Sequence, residues 1–153
     1  MSGRFEIEGL RELGVAMQGL RIDVARKVAF SAALAGANVI KKAAARNAHV
    51  AERAYKVRFK RGDWPQTVQP GNIGRKVANK RIKSALTAEY IVFVRGKYKD
   101  QFAGRAARLL EFGTVKQAPT PFMRPAFEAN KEAAAAAMKL RLQKRIEKAN
   151  RLK

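Results

Sequence analysis

The chain has no cysteine. Disulfides, zinc ribbons, iron–sulfur clusters and thiol catalysis are therefore excluded, and the redox compartment is left open. A single histidine, His49, rules out a multi-histidine metal site and gives thin material for acid–base chemistry. Acids are scarce: Asp and Glu number 12 against 33 Lys and Arg, a net charge of +21. That surplus points to a polyanionic partner, or to protein neighbours that offset it. No apolar run approaches the ~20 residues of a membrane-spanning helix. The opening Met-Ser-Gly-Arg-Phe-Glu lacks the apolar core of a signal peptide. The expectation is a soluble protein made in a cytoplasm, with no membrane partner. Its 153 residues suit one domain, 1–153, with a core large enough to stand without staples.

Apolar spacing marks out the elements. Phe5 and Ile7 share a face by period two, which predicts a short strand over 4–7. Leu10, Leu13, Met17 and Leu20 recur every three or four residues and predict an amphipathic helix, weakened by Gly14 and Gly19. Asp23 is placed to N-cap a second, longer helix ending near Arg46. Its apolar positions Val28, Ala32, Ala35, Val39 and Ala43 are joined by many Ala and Gly, so another backbone can approach closely. Such a helix is a buried core element or a subunit contact. Lys76 to Ala85 predicts a strand with one solvated face. Glu89 to Arg95, EYIVFVR, is the clearest strand, apolar on both faces and hence expected to be central. Lys97 to Asp100 follows as a polar bend. Gln101 to Phe112 predicts a helix with Phe102, Ala106, Leu109 and Leu110 as its stripe. The last helix is expected from Pro125 to Asn150, with Ala126, Phe127, Ala134, Met138, Leu142, Ile146 and Ala149 on one face. Its end is strongly basic.

Residues 47–74 have no steady period and carry Gly62, Pro65, Pro70, Gly71 and Gly74, which predicts a long, partly mobile basic loop. From Arg53 to Lys83 lie ten bases and one acid: Arg53, Lys56, Arg58, Lys60, Arg61, Arg75, Lys76, Lys80, Arg81 and Lys83, against Asp63. Interleaved with Tyr55, Phe59 and Trp64, they are candidates for DNA phosphates and stacked bases. They are equally candidates for an acidic neighbouring protein. Catalysis finds little support. No serine near His49 lies in a nucleophile elbow, and Glu6 with Glu8, or Glu128 with Glu132, is ordinary strand or helix spacing. Gly71-Asn72-Ile73-Gly74 lacks the Lys-Ser or Lys-Thr of a phosphate loop. The residues call for no catalytic group, metal or cofactor.

The most specific signal is LEFGT at 110–114 followed by PTPFMRPAFE at 119–128. A helix ends there, a proline turn intervenes, and an Ala-rich helix begins. Gly113 suits a left-handed cap. Phe112 and Phe122 are expected to bury under the turn, and Glu111 and Arg124 to pair across it. Thr114, Pro121 and Pro125 complete the corner, which is either purely structural or also a subunit contact.

With these motifs the chain resembles the tail-completion, or neck, proteins of long-tailed bacteriophages, also described as head–tail joining or minor tail proteins. The likeness runs from FEIEGLRELGVAMQGL through EYIVFV to LEFGT and PFMRPAFE. It departs at PGNIGRKV, where the family usually has a Pro and a Thr-Gly before its loop and strands. The resemblance implies an α+β fold, a small mostly antiparallel sheet packed with a long N-terminal and a long C-terminal helix. It implies a virion protein without enzyme activity that forms a ring, with six subunits expected, at the neck. Its neighbours there would be the head-closure and tail terminator proteins, with genomic DNA in the channel. A tail terminator is the alternative within that class, and a free basic nucleic-acid-binding protein the alternative outside it.

Overall fold

The computed structural model describes residues 9–18, 20, 22–57, 66–84, 87–96 and 101–151. Their elements are α1 (Leu10–Gln18), α2 (Ile22–Asn47), β1 (Tyr55–Val57), β2 (Gln66–Val68), α3 (Asn72–Lys76), β3 (Val77–Arg81), β4 (Tyr90–Val94), α4 (Gln101–Phe112) and α5 (Met123–Asn150). The fold is α+β. Strands β1 and β2 form one antiparallel pair, with Lys56 opposite Thr67. Strands β3 and β4 form a second pair. The Ile82 N–H donates to Glu89 O, and the Arg95 N–H to Lys76 O, so this pair is also antiparallel. The expected strand at 4–7 and the bend at 97–100 lie outside the described residues.

The chain divides into two compact units. The first comprises Met1–Val39, Arg81–Ile91 and Lys131–Lys153. Its core joins Leu20, Val28 and Ile146, with Leu13, Met17, Val24, Leu142 and Ala149 packed around them. The small residues of α2 serve here: a Cβ on Gly36 would lie 2.7 Å from the Met138 side chain of α5. Two polar contacts tie segments together. Arg26 donates to the Ser84 carbonyl at 2.7 Å, and the Arg141 Nε to the Ser31 hydroxyl at 3.0 Å.

The second unit comprises Ile40–Lys80 and Val92–Asn130. Its core is built from Ala43, Ala44 and Ala48 of the α2 end, Ile73, Val77, Ala107, Phe122 and Ala126. Val92, Val94, Ala106, Leu110 and Met123 pack against it. Phe122, 1% exposed, is the largest fully buried side chain in the described residues. Alanines on α2 and α4 let backbones approach, and Phe122 supplies the bulk between them.

Several sequence expectations need correction. Residues 47–74, read as a long loop, hold β1, β2 and the start of α3. Three-residue strands and a five-residue helix are too short for periodicity to show. The strand expected from Lys76 begins instead at Val77, because Lys76 closes α3. Among the described residues β4 is not central: it pairs only with β3, and Ile91 is exposed. Asp23 sits inside the first turn of α2 rather than at its N-cap, where its charge still suits the helix dipole. On α5, Phe127 is exposed while Ala126, Ala134 and Ile146 are buried.

Two glycines in helices have opposite surroundings. Gly14 of α1 has nothing within 4 Å of a built Cβ. Gly74 of α3 would place a Cβ 2.7 Å from the Ala45 carbonyl oxygen of α2, a backbone atom that cannot step aside. Gly14→Ala should therefore raise stability by about 0.5–1 kcal/mol through helix propensity. Gly74→Ala should lower it by about 1–3 kcal/mol despite the same propensity gain. Urea unfolding of both variants, read by circular dichroism, checks the opposite signs.

Candidate functional site

Helix α5 begins with four backbone positions that have no intrahelical acceptor. Three of their N–H groups are aimed at one carboxylate. Glu111 Oε2 accepts from Phe122 and Met123, and Oε1 accepts from Arg124, each at 2.9 Å. The fourth position is Pro125, which has no N–H. The ladder then starts with Ala126 N–H on Phe122 O. Every orphan donor of the first turn is thus either satisfied by Glu111 or absent.

The chain between the two helices is held as tightly. The Gly113 N–H donates to Leu109 O at 2.7 Å and closes α4. Gly113 has φ +75°, and a Cβ there would meet Gln117 O and Pro119 N at 2.9 Å. Both the left-handed backbone and the close approach require glycine. Thr114 and Gln117 exchange backbone hydrogen bonds across a small turn, and the Thr114 hydroxyl accepts the Lys116 N–H at 3.2 Å. The Thr120 N–H returns to Leu110 O at 2.8 Å. Pro121 is exposed and precedes the buried Phe122.

Partial burial pushes the Glu111 carboxyl up. The N–H groups of Met123, Phe122 and Arg124, with the Arg124 charge, outweigh it and hold the group below the usual carboxylate range. Two expectations for the corner change. Phe112 does not bury: it is 68% exposed, because the α4 face that enters the core carries Ala103 and Ala107 instead. Glu111 meets Arg124 through the backbone N–H, with the guanidinium contributing only charge.

The ten basic candidates do not lie on one loop. Arg53 and Lys56 are exposed, the latter on β1; Arg58, Lys60 and Arg61 lie outside the described residues. Arg75 and Lys76 form the last turn of α3, the first exposed and the second half-buried. Lys80 and Arg81 are exposed on β3, and Lys83 lies beyond it. The Arg81 guanidinium carbon sits 3.4 Å from the centre of the Phe30 ring, which meets Tyr90 edge-on at 6.4 Å. Arg81 is therefore committed to a cation–π stack.

Sequence reasoning missed a cavity of about 570 Å³ in the second unit. Its apolar wall is formed by Val68, Ile73, Ala106, Leu109 and Leu110, and its polar groups include His49, Tyr55 and Arg105. Burial raises the Tyr55 phenol above its ordinary value. His49, exposed just past α2, stands at this cavity. The signal was Leu109, whose spacing with Ala106 marks a stripe that the fold turns toward a cavity. Among the described residues no three His, Cys, Asp or Glu side chains are grouped to hold a metal ion, and no helix is long and apolar enough to cross a membrane. No family model, curated protein or solved structure matches the chain.

Glu111→Ala should cost about 1–3 kcal/mol, the loss of three charge-assisted caps. The depressed carboxyl stabilises the fold above its unfolded-state pKa, and that contribution fades as pH falls through the folded-state value. The melting temperatures of wild type and Glu111→Gln should accordingly converge on acidification and separate toward neutrality. Gly113→Val should lose about 2 kcal/mol or more from the left-handed backbone and the clash. Lys148→Ala, an exposed charge on α5, should stay within about 0.5 kcal/mol. Thermal melts over a pH series check all four.

Proposed function

We propose that this chain is a structural virion protein of a tailed phage, forming a ring at the neck that completes the tail and joins it to the DNA-filled head. The observation that carries the reading is the motif pair LEFGT and PFMRPAFE, which with EYIVFV in order resembles the neck proteins. The partners are further copies of itself, six in the ring, the head-closure protein and the tail terminator, with genomic DNA in the channel. The protein acts in the virion after synthesis in the bacterial host, and performs no catalysis.

A charge of +21 per subunit supports this arrangement. Subunits so charged repel one another in solution, and DNA in the lumen or acidic rings above and below relieve that repulsion on assembly. The corner at Glu111 gives a rigid start to α5, suited to a part that must hold its shape in an assembly. The same charge favours a second reading, a free nucleic-acid-binding protein. A gel shift with free duplex at physiological salt separates the two, because a neck protein has no need to bind free DNA tightly.

The direct test is imaging. Gold-labelled antibody against the chain should mark the neck of tailed particles, and a gene deletion should leave filled heads and separate tails. Label on capsid faces or fibres, or infectious joined particles from the deletion, would overturn the reading.

A further inference from the structure

The outer face of α4 is unusual for an exposed helix. Arg105, Arg108, Leu109 and Phe112 are all exposed, and their spacing of three or four puts them on one stripe. Leu109 is 51% and Phe112 68% exposed, and Val115 in the following turn is fully exposed. Leu109 and Arg105 also line the 570 Å³ cavity, so the stripe borders a hollow large enough for a bulky side chain. The one acid of α4, Glu111, is occupied by the start of α5. Among the described residues no acidic side chain lines the cavity. Among the described residues the face is thus cationic and apolar together, with Glu111 turned to the start of α5.

We infer that the α4 stripe and its cavity are a docking surface for an acidic segment of a partner protein, which seats a leucine or aromatic side chain in the cavity and sets carboxylates against Arg105 and Arg108. Charge decides the occupant. A second copy of a +21 chain brings repulsion to a face that is itself positive. A nucleic acid answers the two arginines but leaves Leu109, Phe112 and Val115 without apolar cover. An acidic segment with an apolar anchor satisfies both. The inference gives a chemistry to the protein neighbours in the proposed neck reading, but its evidence is this face alone.

The test uses the full chain and short fluorescent peptides in about 0.15 M salt, where long-range attraction is largely screened. One peptide carries Leu and Phe among Asp and Glu; a second has Ser in place of Leu and Phe at the same charge. The first should bind about tenfold or more tighter than the second. Leu109→Ser and Phe112→Ser should each abolish most of that difference, and Arg105→Glu should weaken the first peptide about tenfold. Lys148→Ala should leave binding unchanged. Leu109, Phe112 and Arg105 are exposed, and unchanged melting temperatures would confirm that the variants fold. Equal binding of both peptides, or insensitivity to the three variants, would overturn the inference. So would a short DNA duplex whose binding falls with Phe112→Ser, or a concentration-dependent dimer that the same variant dissolves. None of these readouts involves phage particles, so the docking surface and the neck reading fail separately.

Discussion

The carboxylate of Glu111 sets where α5 begins. Helix starts in proteins are more often capped by a Ser, Thr, Asp or Asn immediately before the first turn. Here the position before Met123 is Phe122, which cannot cap. Its ring is instead the largest fully buried group of the second unit. Core filling and capping are therefore divided between two residues eleven positions apart. That division makes the capping long-range, so the start of α5 rests on α4 and the 113–120 segment as well as on its own first turn. The start fixes which side of the first turns faces inward, where Ala126 joins the core of the second unit.

Gly113 and the prolines serve the same constraint. The chain must leave α4 and return within a few residues so that Phe122 N–H can face a side chain on the last turn of α4. A left-handed residue reverses the chain at once, and the Thr114–Gln117 turn closes it with its own backbone hydrogen bonds. Pro119 and Pro121 reduce the entropy lost in ordering the return. Pro125 removes the one donor that Glu111, with two oxygens already engaged by three N–H groups, would be poorly placed to serve.

Long elements were legible in the sequence for reasons that show where the reading stopped. Leu13 and Met17, and then Ala134, Leu142, Ile146 and Ala149, repeat over enough turns for spacing to reveal a face, and α1 and α5 lie there, although α1 ends at Gln18 and leaves Leu20, expected within it, in the bend that follows. Gly113 announced the end of α4 because only a few residue types tolerate that backbone. The strands β1 and β2 and helix α3 were not legible, since each is shorter than the window over which a period can be counted. Phe112 and Leu109 misled for a different reason. Hydrophobicity marks residues that gain from cover, but says nothing of whether this chain or another molecule supplies it. The role of Glu111 was half legible: its nearness to Arg124 suggested an ion pair, whereas the geometry uses the backbone donor of the same residue.

Scarcity of acids gives these details a common consequence. In a chain with balanced charge, losing one carboxylate to a helix cap would matter little to the surface around it. On α4, Glu111 is the only acid, and its use at α5 leaves that helix no carboxylate to set against Arg105 and Arg108 beside Leu109 and Phe112. An exposed apolar stripe ordinarily invites self-association. A strong net positive charge opposes that, because copies of the chain repel before their apolar faces meet. Repulsion of this kind discriminates by sign: it is felt by another copy, and becomes attraction for an acidic surface. The same lysines and arginines that allow the stripe to stay uncovered thus restrict what can cover it. The stability of the corner and the selectivity of the adjoining face both follow from where the chain spends a single glutamate.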